Sequence, residues 1–68
     1  VPLRQWIQSE LKEIMIDLLS IDSVNRRGFF RAENVQKLIL DNSQGRVDAT
    51  YTLFSLLCIE IWCRAYLD

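Results

Sequence analysis

Three groups of side chains in this 68-residue sequence could do chemistry: arginines around a glycine, a glutamate–arginine pair, and two cysteines in an apolar run. Arg26, Arg27 and Arg31 flank Gly28. Guanidinium groups gathered at a turn can hold a phosphate or a nucleic-acid backbone. They can equally form a solvated turn, their stems covering Phe29 and Phe30, and that reading is preferred here. Glu60 and Arg64 stand at i and i+4, within reach on one helix face. Such a carboxylate could orient a substrate, but a packing role is the simpler reading. If Glu60 is buried it needs a cation, so Arg64 or another arginine is expected beside it. Trp6 and Trp62 could stack on a ring; at apolar helical positions they read as core.

Cys58 and Cys63 are five residues apart. On a helix that separation is about 140° around the axis, so a mutual disulfide is not expected. No cations cluster beside them to lower a thiol pKa, and two isolated cysteines do not make a zinc site. Buried, reduced thiols in a cytoplasmic compartment are the expectation. The chain has no histidine, which removes the commonest general base and metal ligand. Its net charge of -1, from 8 basic and 9 acidic residues, supplies no overall field for nucleic acid or anionic lipid. The reading is therefore no catalytic, cofactor-binding or metal-binding residue in this chain, and no nucleic-acid or membrane partner.

These side chains must be carried by helices. Hydrophobic residues make up 50% of the chain, against 2 Gly and 1 Pro, a composition that favours long helices over disorder. Leu3, Ile7, Leu11, Ile14 and Leu18 recur at helical spacing, widened by Met15 and Leu19, so the first helical segment is expected from Pro2 to about Leu19. Whether it is bent or continuous stays open. Pro2 suits its first turn. Ser20, Asp22, Ser23 and Asn25 are cap and turn residues, with a short helical turn over Ile21 to Asn25. Gly28 is the expected left-handed stop, after which Phe29 and Phe30 return to the core. Ala32 to Asn42 forms the next helix, buried through Val35, Leu38 and Ile39 and broadened by Leu40. Asn42 to Gly45 ends it. Asp48 caps the last helix, which runs to about Leu67.

The last helix is the most informative. From Leu53 to Cys63 only Ser55 and Glu60 interrupt an apolar run. A helix apolar all round must be surrounded. The run falls short of the ~20 residues a membrane span needs, and Glu60 lies inside it. A core position is expected, with Phe54 and Trp62 each contributing on the order of 2–3 kcal/mol by burial. The preceding helices can cover only part of its circumference, so a further neighbour is expected on the rest. The fold class read from the pattern is all-α: one domain over residues 1–68, a small bundle of three to four helices around a central hydrophobic C-terminal helix.

Several strings occur in an ordered series: Pro2 to Trp6, Arg26-Arg27-Gly28-Phe29-Phe30, Gly45-Arg46-Val47-Asp48, Leu53-Phe54-Ser55-Leu56-Leu57 and Glu60-Ile61-Trp62. The series resembles the C-terminal end of glutamine-hydrolysing asparagine synthetases, over nearly the whole chain. In that family a proline and a tryptophan open a helix. An arginine-glycine-aromatic turn follows, then a glycine and an aspartate, then a leucine-rich final helix with glutamate and tryptophan. The resemblance implies a parent enzyme with an N-terminal glutaminase domain and an ATP-dependent synthetase domain. That enzyme would use Mg²⁺ to activate a carboxylate as an acyl-adenylate, which ammonia from glutamine attacks. Its pyrophosphate loop, Ser-Gly-Gly-x-Asp-Ser, and a basic stretch with a functional lysine lie upstream of a segment like this one. So the resemblance carries over no catalytic residue, only scaffolding: Pro2, Trp6, Gly28, Asp48, Phe54, Glu60 and Trp62. Many relatives have histidine where Asn42 and Ala49 stand and tryptophan where Phe54 stands, which points to a divergent member.

The function expected is a structural segment of such an amidotransferase. Its partner would be the remainder of the synthetase domain, with self-association when the segment is isolated. The opening Val1-Pro2-Leu3, without Met or a signal-peptide n-region, accords with a segment of a longer chain. Two other readings remain: a free-standing interaction or dimerisation module, and a DNA-binding helix-turn-helix over Ser20 to Leu40.

Overall fold

Helix-forming runs and well-placed stops divide the described residues into five α-helices. A computed structural model describes residues 2–68. The helices are α1 (Leu3–Gln8), α2 (Lys12–Leu18), α3 (Ile21–Arg27), α4 (Ala32–Ser43) and α5 (Thr50–Tyr66), with no strand among the described residues. The all-α class holds, with five helices where three to four were expected. The first segment is two helices, and the short turn after it is a helix of seven residues.

The break between α1 and α2 sits at Ser9, whose φ of -126° and ψ of -94° leave the helical region. No proline or glycine causes it. The Ser9 hydroxyl donates back to the Gln5 carbonyl at 2.7 Å, and the Leu11 amide reaches Trp6 rather than Ile7. Serine offers the backbone this alternative partner. The break shifts the phase of the apolar stripe. In one continuous helix Ile14 would share the face of Ile7; instead Met15 and Leu19 are buried and Ile14 is 46% exposed.

α3 begins at Ser20, whose hydroxyl accepts from the Ser23 amide at 3.3 Å, and ends at Gly28 with φ of 74°. That left-handed residue is the expected stop, and glycine adopts it without strain. Pro2 precedes α1 in extended conformation, and its carbonyl accepts from the Trp6 amide at 3.1 Å. Asn42 lies in the last turn of α4. It is buried, and its Oδ1 accepts from the Ala49 amide at 2.9 Å, tying the end of α4 to the start of α5.

α1, α2 and α4 pack against one side of α5, and α3 packs on α4. The core joins Ile7, Met15, Leu19, Val24, Val35 and Leu53. Several expected core residues lie outside it. Phe29 and Phe30 do not return to the core; they are 58% and 46% exposed and meet each other edge to face. Leu40, Trp6 and Trp62 are also exposed, and Phe54 is half-buried. No helix among the described residues is long and apolar enough to cross a membrane.

The phase shift is directly testable. Met15→Ala should destabilise the chain by about 2–4 kcal/mol, and Ile14→Ala by about 1 kcal/mol or less, measured by urea unfolding. Equal losses would show that α1 and α2 form one continuous helix.

Candidate functional site

The strongest concentration of charge joins α3 to α5. Glu60 projects from the packed side of α5 and is 4% exposed. Its neighbours one turn away, Leu57 and Cys63, are buried as well, so the helix phase forces the carboxylate inward. Burial of an unpaired carboxylate would be costly, and the fold meets it with arginines. Arg27 Nε and Nη2 donate to the two Glu60 oxygens, both at 2.9 Å. Arg64 Nε, one turn along α5, donates to Glu60 Oε2 at 2.7 Å. Arg26 Nη2 stands 3.8 Å from the same oxygen.

Arg27 is the hub. Its Nη1 and Nη2 also donate to Asp68 at 2.8 and 2.7 Å. One planar fork therefore holds two carboxylates, a geometry lysine cannot reproduce. Its side chain is 12% exposed. The solvated turn expected around Gly28 is thus corrected: Arg27 is drawn inward by Glu60, while Arg26 and Arg31 stay in water with 59% and 80% of their side chains exposed. Arg64 Nη2 closes the network on Ser23 Oγ at 2.9 Å. The sequence showed only the Glu60–Arg64 pair. Arg27, Asp68 and Ser23 lie 33 to 41 residues from their partners, and no local signal marks them.

This geometry limits the chemistry. The Arg27 hydrogen bonds, with Arg64 assisting, hold the Glu60 carboxyl below its ordinary range against the opposing effect of burial. Asp68 is lowered for the same reason, by Arg27, and the two carboxylates raise the Arg27 guanidinium in return. A carboxylate kept ionised, with both oxygens already accepting, is neither a proton donor nor a free base. The apolar cleft beside it, walled in part by Val24, Phe29, Phe30 and Ile59, has a volume of about 20 Å³. That is room for about one water molecule.

A second charged link closes the other end of the fold. Arg4 donates to Asp48 from Nε at 3.1 Å and from Nη2. Asp48 Oδ1 accepts from the Thr50 amide at 3.3 Å, so it serves the first turn of α5 from just outside, where Ala49 holds the cap position. Arg4 first, and then Thr50, hold the Asp48 carboxyl down to about 2.

The remaining predicted positions are scattered. Trp6 Nε1 donates to Glu10 at 3.1 Å on the surface of α1. Trp62 lies on the far side of α5 against Tyr66, ring centroids 5.4 Å apart. Gly28 ends α3 immediately after Arg27, so the stop positions the hub. Both thiols are free, Cys63 buried and Cys58 exposed; the burial expected for Cys58 is corrected by its place on the outward side of α5. Among the described residues no group of three or more His, Cys, Asp or Glu side chains could hold a metal ion.

Acid should loosen this network. The folded pKa values of Glu60, Asp68 and Asp48 lie below their ordinary ones. Their contribution is complete above the unfolded carboxylate range and is lost as pH falls through the folded values, which for Asp48 is about 2. Glu60→Gln should lower the urea midpoint at pH 7 and flatten that acid dependence. An unchanged midpoint and profile would remove Glu60 from the fold's support. In comparisons with known proteins no family model matches the chain, and neither a curated protein nor a solved structure matches it.

Proposed function

We propose that this chain is the structural C-terminal segment of an ATP-dependent, glutamine-hydrolysing asparagine synthetase-like amidotransferase. The observation that carries the reading is the two-sided character of α5. One side is anchored by Leu53, Leu57 and Glu60; the other leaves Ile59, Ile61, Trp62 and Tyr66 40–73% exposed. Exposed apolar patches of this kind mark interaction surfaces. In this reading the remainder of the synthetase domain covers the outer side and makes α5 a central hydrophobic helix. The ordered resemblance from Pro2 to Trp62 supplies the identity of that neighbour.

The segment's own role is scaffolding. The Arg27–Glu60–Asp68 network fixes α5 against α3, and Arg4–Asp48 fixes its start against α1. ATP, Mg²⁺, glutamine and the carboxylate substrate belong to upstream parts of the parent, and a cytoplasmic location belongs to the same proposal. A free-standing interaction module is the second reading. It is favoured by the same uncovered side and by the closure of both charged links within this one chain.

The coding sequence upstream of Val1 should contain a Ser-Gly-Gly-x-Asp-Ser loop; an unrelated domain there would end the amidotransferase reading. In the parent enzyme, Trp62→Asp should lower the yield of folded protein several-fold while the folded fraction keeps its KM for ATP. A changed KM with normal yield would mean that Trp62 acts at the substrate site rather than in packing. By titration calorimetry the 68-residue chain should bind ATP no better than background, and tight binding would contradict the proposal.

A further inference from the structure

The outer side of α5 has a property stronger than exposure: it carries no charge. The helix contains two charged residues, Glu60 and Arg64, and both are committed to the inward network. At 3.6 residues per turn, Tyr51, Ser55, Cys58, Trp62 and Tyr66 fall in one stripe opposite Leu53. All five are exposed. A helix face that meets water ordinarily carries charged residues. This one is uncharged along nearly its whole length.

We infer that a second copy of this chain seats on that stripe, through an antiparallel α5–α5 pair centred near Cys58. Three features favour a second copy over a partner of another chemistry. An uncharged face offers no complement to an acidic or basic partner, and no repulsion to its own duplicate. The order of side-chain sizes suits an antiparallel duplicate: with the centre near Cys58, Ser55 stands opposite the second copy's Trp62, the small residue beneath the large ring. The Tyr51 and Tyr66 rings then flank the two ends, where their hydroxyls still reach water.

Area is the third feature. Tyr51, Trp62 and Tyr66 are 72%, 54% and 73% exposed, and large aromatic side chains bury 150–250 Å² each, so the three leave roughly 400 Å² open on each chain. With Ser55, Cys58 and the bordering Ile59 added, two copies cover on the order of 1,000 Å², about the least that a specific interface needs. Such a pair is isologous and closes on itself, so assembly stops at two. The inference concerns the chain by itself. In the parent proposed above, the remainder of the synthetase domain takes the same face, so failure of the dimer leaves that reading standing.

The arrangement sets Cys58 against its own counterpart and leaves Cys63 inside each copy. Sedimentation equilibrium from micromolar to millimolar chain should show a monomer–dimer equilibrium with a limiting mass twice 8.0 kDa. Diamide, which takes up the two thiol hydrogens as the disulfide forms, should yield a covalent dimer in the wild type and in Cys63→Ser but not in Cys58→Ser. Trp62→Glu and Tyr66→Glu sit at exposed positions and should keep their helical circular dichroism while weakening the dimer at least tenfold. A monomer at every concentration would overturn the inference. So would growth beyond the dimer, or a dimer indifferent to both glutamate variants and not linked through Cys58.

Discussion

The fold turns on one buried carboxylate and the arginine that answers it. Glu60 is carried inward by the phase of α5, and Arg27 arrives from the last turn of α3, stopped there by Gly28. A buried ion pair is not in itself a large source of stability; apolar residues of the same volume often do as well. What it supplies here is register. The planar fork of Arg27 meets Glu60 and Asp68 together and so favours one rotational setting of α5 relative to α3. That setting decides which residues of the last helix face inward and which face out.

The consequence is a helix with two unlike sides. The inner side holds all its charge and its tightest packing, with Leu53 fully buried. The outer side holds uncharged residues, most of them aromatic or aliphatic, with Ser55 and Cys58 among them. A small chain has too little interior to bury so many apolar groups, and the remainder is left exposed on every helix, its largest group on α5. The same physical fact serves either setting of this chain. In the proposed parent the outer side would be a packing surface, and in the proposed dimer it would meet a second copy.

Much of the architecture was legible in the sequence because it depends on local chemistry. The all-helical class, the α4 span, the left-handed stop at Gly28 and the Glu60–Arg64 pair follow from periodicity, cap residues and i, i+4 spacing. What was not legible depends on phase and on long-range partners. The Ser9 break has no proline or glycine to announce it, and it turned Ile14 out of the core while Met15 stayed in. Arg27 reads like Arg26 until Glu60 is in place. The exposure of Trp6, Trp62, Phe29 and Phe30 could not be read from residue type, because hydrophobicity is a preference for burial, and the supply of interior decides which residues obtain it.

The central claim is that this chain does not wrap its own last helix. Hydroxyl-radical footprinting across a dilution series, read by mass spectrometry, tests it most directly. The account predicts that Tyr51, Trp62 and Tyr66 are labelled rapidly in dilute solution and become protected as concentration rises, while Leu53 stays unlabelled throughout. Protection of Trp62 at every dilution, in a particle with the 11.5 Å radius of gyration of a single chain, would show that the chain covers this face itself and would contradict the account.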